Sequence, residues 1–171
     1  PNFDDVYKEV KKHIEKSLKN LKLEKIPVCL IHDPQNMINY DGMVVKALEQ
    51  LRVEGHIEKI GCSVYTVNDV QKFLDLKKFQ VIEIPVNLFN TKIIADKMFD
   101  QLNKNKIIIL ARSVFLQGLF FLDPHNLPPK VEKAKKYLLE LNKISSNFSI
   151  PIPQLALSFV NNQKHISSII I

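Results

Sequence analysis

One histidine of this sequence lies where catalytic residues are common in α/β proteins. The run PVCLIHDP, residues 27–34, has four apolar residues followed by His32, an acid and a proline. A short apolar run bounded by turn residues predicts a strand buried on both faces, with His32 beginning the next loop. Catalytic residues collect at the carboxyl ends of parallel strands. His32 is therefore a candidate catalytic residue, and a histidine that only caps the strand end is the structural alternative.

Polar side chains accompany three later apolar runs as well. IEKIGCS ends in Ser63, VIEIPV carries Glu83 within it, and IIILARS ends in Arg112 and Ser113. A carboxylate inside an apolar strand needs a partner or water. Arginine is a natural ligand for phosphate or carboxylate, although Arg112 could also be an ordinary surface cation. Without further information, each serine is read as a strand-end residue that bonds to its own backbone.

Strands and helices alternate along the whole chain. Apolar runs predict strands at 26–31, 57–63, 81–86, 106–112 and 167–171. Three- and four-residue spacing of apolar side chains predicts helices at 3–21, 41–54, 67–77, 91–104, 130–145 and 153–160. This alternation predicts right-handed βαβ units and a parallel sheet. Because no glycine-rich dinucleotide loop follows any strand, a partial (β/α)₈ TIM barrel ranks above a Rossmann fold.

Length and charge restrict the class of protein further. A chain of 171 residues predicts a single domain, 1–171, and the 46% apolar and 25% charged residues are an ordinary globular balance. The net charge of +6 suggests nucleic-acid or phosphate partners. However, only Arg52 and Arg112 are arginines, and the lysines mostly have the spacing of solvated helix faces. Nucleic-acid binding is therefore not predicted, and a basic module for phosphate-bearing ligands is a minor alternative.

The cysteines and the hydropathy pattern bear on location. Cys29 and Cys62 lie inside apolar runs and are interpreted as core residues, not as a disulfide or a metal site. No signal peptide and no apolar run of 18 residues is present. We therefore expect a soluble, cytoplasmic protein without a membrane partner or a bound metal.

Five segments, in order along the chain, resemble the aldo-keto reductase family. The first is LKNLKLEKIPVCLIHDP, Leu18 to Pro34, which resembles the helix that leads into barrel strand four. The others resemble the family's "EGKIRAIGVSN", "QVPYNLFD" and "ARSPLAQGL" segments and the helix before strand eight. They are ALEQLRVEGHIEKIGCS (47–63), EIPVNLFN (83–90), ARSVFLQGL (111–119) and PQLALSFV (153–160). The resemblance implies an NAD(P)H-dependent oxidoreductase that reduces an aldehyde or ketone, with a sugar as one candidate substrate.

The resemblance assigns a role to each of the polar residues. The family's histidine after strand four lies beside a catalytic tyrosine and helps to place the substrate carbonyl, which makes His32 the catalytic candidate. The tyrosine donates the proton and the nicotinamide donates the hydride. The positions that match the family's contacts to the nicotinamide and pyrophosphate of NADP or NAD are Ser63, Glu83, Arg112, Ser113, Phe115 and Gly118. Glu83 replaces a glutamine, so its ionised carboxylate can accept an amide N–H but cannot donate.

Other departures from the family pattern put the activity in question. Val64, Val86 and Val114 replace an asparagine, a tyrosine and a proline. The chain begins at the family's third helix, so the segments with the catalytic aspartate, tyrosine and lysine are absent, and we expect strands four to eight of a barrel. A non-catalytic remnant that keeps the scaffold is therefore the main alternative to the enzyme. Strands four and eight would be unpaired edges, which predicts self-association.

Overall fold

The computed structural model of the chain describes residues 1–171 and contains one five-stranded sheet. Its strands are β1 (Ile26–Ile31), β2 (Ile57–Ser63), β3 (Val81–Pro85), β4 (Ile108–Arg112) and β5 (Ile166–Ile169). All four neighbouring pairs are parallel, and the strands lie side by side in chain order. The predicted parallel sheet is thus confirmed.

One helix precedes β1, and the other helices fill the connections between the strands. They are α1 (Phe3–Leu21), α2 (Met43–Val53), α3 (Val67–Leu76), α4 (Lys92–Ala95), α5 (Met98–Lys104), α6 (Lys135–Phe148) and α7 (Ile152–Asn161). Because parallel crossovers are right-handed and each one here steps to the next strand, all crossover helices lie on the same face of the sheet. This is the arrangement of a partial (β/α)₈ barrel. None of the helices combines the length and the hydrophobicity that crossing a bilayer requires.

The two faces of the sheet differ in burial. The face towards the helices is fully buried at the centre of the sheet, at Ile60, Ile82 and Ile109, where it packs against apolar helix residues such as Leu51 and Phe73. The opposite face is only half buried, because no second layer of helices covers it. Glu83 and the alternate residues of β4, Ile108, Leu110 and Arg112, are partly exposed there. Glu83 and Arg112 therefore lie on the open face of the sheet.

The ends of α1 follow directly from its sequence. The side chain of Asn2 accepts a hydrogen bond from the backbone N–H of Asp5 at 3.0 Å, as expected of an N-cap. Asp4 and Asp5 place negative charge at the positive end of the helix dipole. At the other end, Lys22 has a left-handed conformation with φ of 55°, which turns the chain towards β1.

Two predicted helices differ from the structure. The helix predicted at 91–104 is broken into α4 and α5, because Lys97 has φ of 55° and no residue in that conformation can continue a helix. The helix predicted at 130–145 begins as a 3₁₀ segment, Pro129–Ala134, and becomes α-helical only from Lys135 to Phe148. Apolar spacing persists across both irregularities, so periodicity alone does not reveal them.

The cysteines are core residues, as their sequence context suggests. Cys62 is inaccessible to solvent, and both thiols are free. Burial raises the pKa of the Cys62 thiol to about 12, and burial also raises the pKa of Cys29. Both side chains therefore remain protonated, weakly reactive thiols at neutral pH.

Candidate functional site

The strand register brings the predicted polar residues to one edge of the sheet. Ser63, the last residue of β2, pairs with Glu83 of β3. Pro85, the last residue of β3, pairs with Arg112, the last residue of β4. Since parallel strands end at the same edge, these side chains meet at the carboxyl ends of the strands, where barrel enzymes place their chemistry.

Glu83 is the centre of the contacts at this edge. Its Oε2 accepts a hydrogen bond from the Ser63 hydroxyl, and Nε of Arg112 forms an ion pair with the same oxygen at 3.2 Å. Nη1 of Arg112 donates a hydrogen bond to the Ser113 hydroxyl at 3.0 Å. The Glu83 and Arg112 side chains are 16% and 21% exposed, so water screens their ion pair only partly. Ser63, Glu83, Arg112 and Ser113 thus form one connected group, which we call the strand-end cluster.

Tyr65 is a member of this site that the sequence analysis missed. Its ring lies over the guanidinium of Arg112, with the Cζ atom 4.6 Å from the ring centre. This geometry is that of a cation–π contact. The signal that could have found it is the position of an aromatic residue two places after Ser63, in the loop that leaves the same sheet edge.

The loop after β4 forms one wall of a cavity of about 350 Å³. The predicted residues that line it are Arg112, Ser113, Phe115 and Gly118, and the lining residues not predicted are Val114, Gln117, Phe121, Ile170 and Ile171. Ser113, Leu116 and Gln117 have positive φ angles of 58°, 47° and 54°, which non-glycine residues rarely adopt. Such strained conformations cost about 1–3 kcal/mol each and are concentrated at functional sites.

Two buried side-chain nitrogen atoms, one within the cluster and one two residues after the end of β3, have no hydrogen-bond partner within the chain. They are Nη2 of Arg112 and Nδ2 of Asn87. An unsatisfied buried donor costs about 1–3 kcal/mol. A ligand that brings acceptor oxygens to this edge would recover that cost. The donor set therefore fits a polar cofactor head group such as a carboxamide.

His32 lies at the same edge but makes no polar contact with the cluster. β1 pairs with β2 up to Ile31, which is opposite Cys62, so His32 follows beside the end of β2. Its side chain is exposed and makes no hydrogen bond or ion pair within the chain. The structure thus places five predicted residues near one another around Arg112 and leaves His32 without a partner.

None of the four tyrosines is bonded to His32. Tyr7 of α1 donates to Glu54 at the end of α2, Tyr65 lies over Arg112, Tyr137 packs against Phe89, and Tyr40 is exposed. The hydrogen bond to Glu54 raises the pKa of Tyr7, whereas an acid catalyst needs a lowered one.

The three valines that depart from the family pattern are core residues here. Val64, Val86 and Val114 have exposures of 0%, 1% and 1%. They pack inside the sheet and its loops, so the strand-end cluster has neither the amide nor the aromatic ring that the resemblance would otherwise supply. The chemistry of this edge therefore depends on the charged pair Glu83 and Arg112.

Comparison with known proteins agrees with this architecture. The sequence model of the Aldo/keto reductase family matches residues 1–171. An aldo-keto reductase from Bacillus halodurans in its apo form superposes with a TM-score of 0.74 at 18% identity, over 95% of this chain and 56% of that one. A glycerol dehydrogenase from Gluconobacter oxydans gives a TM-score of 0.68 at 22% identity, over 95% and 54% of the two chains. No curated protein sequence matches the chain.

A third structure, an aldo/keto reductase from Klebsiella pneumoniae in complex with NADP and acetate, has a TM-score of 0.63 at 19% identity. The match covers 94% of this chain and 53% of the Klebsiella pneumoniae chain. Because the family model matches the whole chain, the chain belongs to the aldo/keto reductase family. It spans about half the length of the solved structures that it matches.

Proposed function

We propose that residues 1–171 hold the nicotinamide end of NADP(H) or NAD(H) in an aldo-keto reductase that reduces an aldehyde or ketone. The observation that carries this proposal is the strand-end cluster, in which a hydroxyl, a carboxylate and a guanidinium meet at the carboxyl edge of the sheet. The bound cofactor would supply the hydride. A small carbonyl compound is the substrate class, and a sugar is one candidate.

The residues of the chain have separate tasks in this proposal. Ser63 and Glu83 orient the carboxamide, since Oε1 of Glu83 has no partner within the chain and remains free to accept an N–H. Ser113, Phe115 and Gly118 form the wall of the cavity beside it. His32 donates a hydrogen bond to the carbonyl oxygen on which negative charge develops.

Binding of the cofactor by this chain tests the proposal. We expect calorimetric titration with NADP⁺ to show one weak site, with a Kd of about 1 mM, equivalent to about 4 kcal/mol. Ser63→Ala should weaken binding about threefold to tenfold, because one hydrogen bond contributes about 0.5–1.5 kcal/mol. Ser146→Ala, on the exposed side of α6, is the matched control and should leave the Kd unchanged. Equal affinities of all three proteins would contradict the proposed role of Ser63.

We also propose that this chain self-associates through its sheet edges. β1 and β5 each have only one neighbouring strand, so each presents a row of unpaired backbone groups. Apolar side chains such as Val28 and Ile170 are exposed on or beside these strands. We expect multi-angle light scattering to give a mass above that of one chain, rising with concentration. A concentration-independent monomer that binds no hydrophobic dye would contradict this proposal.

A further inference from the structure

We infer that Arg112, held by Glu83, is a specificity-determining residue that donates a hydrogen bond to the carbonyl oxygen of the ligand's primary carboxamide. Glu83 accepts the N–H of the same carboxamide through Oε1. This inference rests on the proposed function, because it names the two side chains that read the carboxamide group of the nicotinamide. It assigns to Arg112 a contact with the carboxamide instead of a contact with phosphate.

An ionised glutamate side chain cannot donate a hydrogen bond. A primary carboxamide presents one acceptor oxygen and two N–H donors, so a complementary site needs a donor and an acceptor side by side. A glutamine side chain provides both. Glu83 provides only acceptors, and one of its oxygens, Oε2, is already engaged by Ser63 and Arg112. The site therefore has an acceptor, Oε1, but needs its donor from another residue.

Arg112 has the donor that Glu83 lacks. Its Nε faces Oε2 of Glu83 at 3.2 Å and its Nη1 donates to Ser113 at 3.0 Å. The remaining nitrogen, Nη2, is buried and has no partner. Because the guanidinium is planar and rigid, fixing Nε and Nη1 also fixes the position of Nη2. The ion pair thus joins a free acceptor and a free donor in one unit.

The charges of the pair favour a neutral ligand group. Glu83 and Arg112 neutralise each other, so this part of the edge has little net attraction for a phosphate. Neutral groups with both donor and acceptor, such as carboxamides, match it better than anions do.

Tyr65 lies against the guanidinium group that carries Nη2. Its ring lies over the guanidinium, and its side chain is 44% exposed in the loop between β2 and α3. An exposed side chain on a loop changes rotamer on a fast timescale. Rotation of Tyr65 away from Arg112 lets an acceptor oxygen approach a nitrogen that is otherwise unsatisfied.

A double-mutant cycle tests the inference by calorimetric titration with NADP⁺. In the natural sequence, Arg112→Met should weaken binding about tenfold, because it removes a charge-assisted hydrogen bond. In the Glu83→Gln background, the same change should cost less than about threefold, because the glutamine amide then donates to the carbonyl oxygen itself. Arg112→Lys should behave like Arg112→Met, since lysine keeps the charge but not the rigid fork. Arg52→Met is the charge-matched control on α2.

A second ligand, which differs from NADP⁺ only at the carboxamide, isolates the contribution of this group to binding. The analogue has a carboxylic acid in place of the carboxamide of the nicotinamide. The natural chain should bind this analogue at least about tenfold more weakly than it binds NADP⁺, because the carboxylate of the analogue would face the carboxylate of Glu83. Glu83→Gln should reduce that preference. Equal losses from Arg112→Met in both backgrounds, or full affinity in Arg112→Lys, would overturn this inference alone. Absence of NADP⁺ binding by the natural chain would overturn the proposed cofactor site and this inference with it.

Discussion

Replacement of Gly61 by alanine is expected to remove a large share of the stability of the fold. Gly61 lies in the middle of β2, between β1 and β3, and pairs with Leu30 on one side and Val81 on the other. A Cβ atom there would overlap the backbone carbonyl oxygen of Val81 and lie 2.7 Å from Cδ2 of Leu30. The carbonyl cannot move without breaking the pairing of β2 and β3. Overpacking typically costs about 1–3 kcal/mol, and a clash with backbone belongs at or above the top of that range.

The measurement is urea unfolding of Gly61→Ala, followed by circular dichroism. Domains are stable by about 5–15 kcal/mol, so a loss of about 3 kcal/mol or more is a large share of the total. Gly55→Ala is the matched control, because its φ is 89° but nothing lies within 4 Å of the added Cβ. It should cost about 1 kcal/mol through backbone strain alone. A Gly61→Ala midpoint equal to that of Gly55→Ala would show that the sheet accommodates the methyl group.

The second large effect concerns catalysis by the 171-residue chain. We expect it to oxidise NADPH with a reactive aldehyde no faster than the uncatalysed background. Hydride transfer leaves negative charge on the substrate oxygen, and His32 alone offers a single hydrogen bond without a partner that orients it. Absence of a positioned proton donor typically costs about 10²–10⁴ in rate.

The variant His32→Ala tests whether His32 supports turnover in this chain. Because His32 alone is not expected to support turnover, the variant and the natural chain should show the same background rate of NADPH oxidation. Turnover well above background that disappears in His32→Ala would show that His32 supports proton donation in this chain, alone or together with another acid. In that case the proposed division of tasks would be wrong.

Much of the fold could be predicted because parallel α/β architecture is encoded locally. Each strand is a short apolar run, and each helix has apolar residues on one side, so their order and the parallel sheet follow from the sequence. The breaks could not be predicted in this way. Lys97 and the run Tyr40, Asp41 and Gly42 adopt left-handed conformations that tertiary packing imposes on ordinary residue types. Periodicity contains no information about such positions.

The site was predictable in position but not in its internal contacts. Ser63, Glu83 and Arg112 each follow or lie in an apolar run, and parallel register brings them to one edge. The ion pair between Glu83 and Arg112 depends on a long side chain that reaches diagonally to the neighbouring strand. The stacking of Tyr65 on Arg112 depends on the course of a loop. Side-chain reach and loop course are set by three-dimensional packing, so they appear only in the structure.

The central claim is that the strand-end cluster binds the nicotinamide end of the cofactor. Its most direct test is titration of the ¹⁵N-labelled chain with NADP⁺, followed by amide chemical shifts. We expect the largest shifts at Ser63, Glu83, Arg112 and Ser113, with little change at Ile26 and Ile57, which lie at the amino ends of their strands. Shifts confined to residues away from the carboxyl edge of the sheet, or no shifts at millimolar NADP⁺, would contradict it.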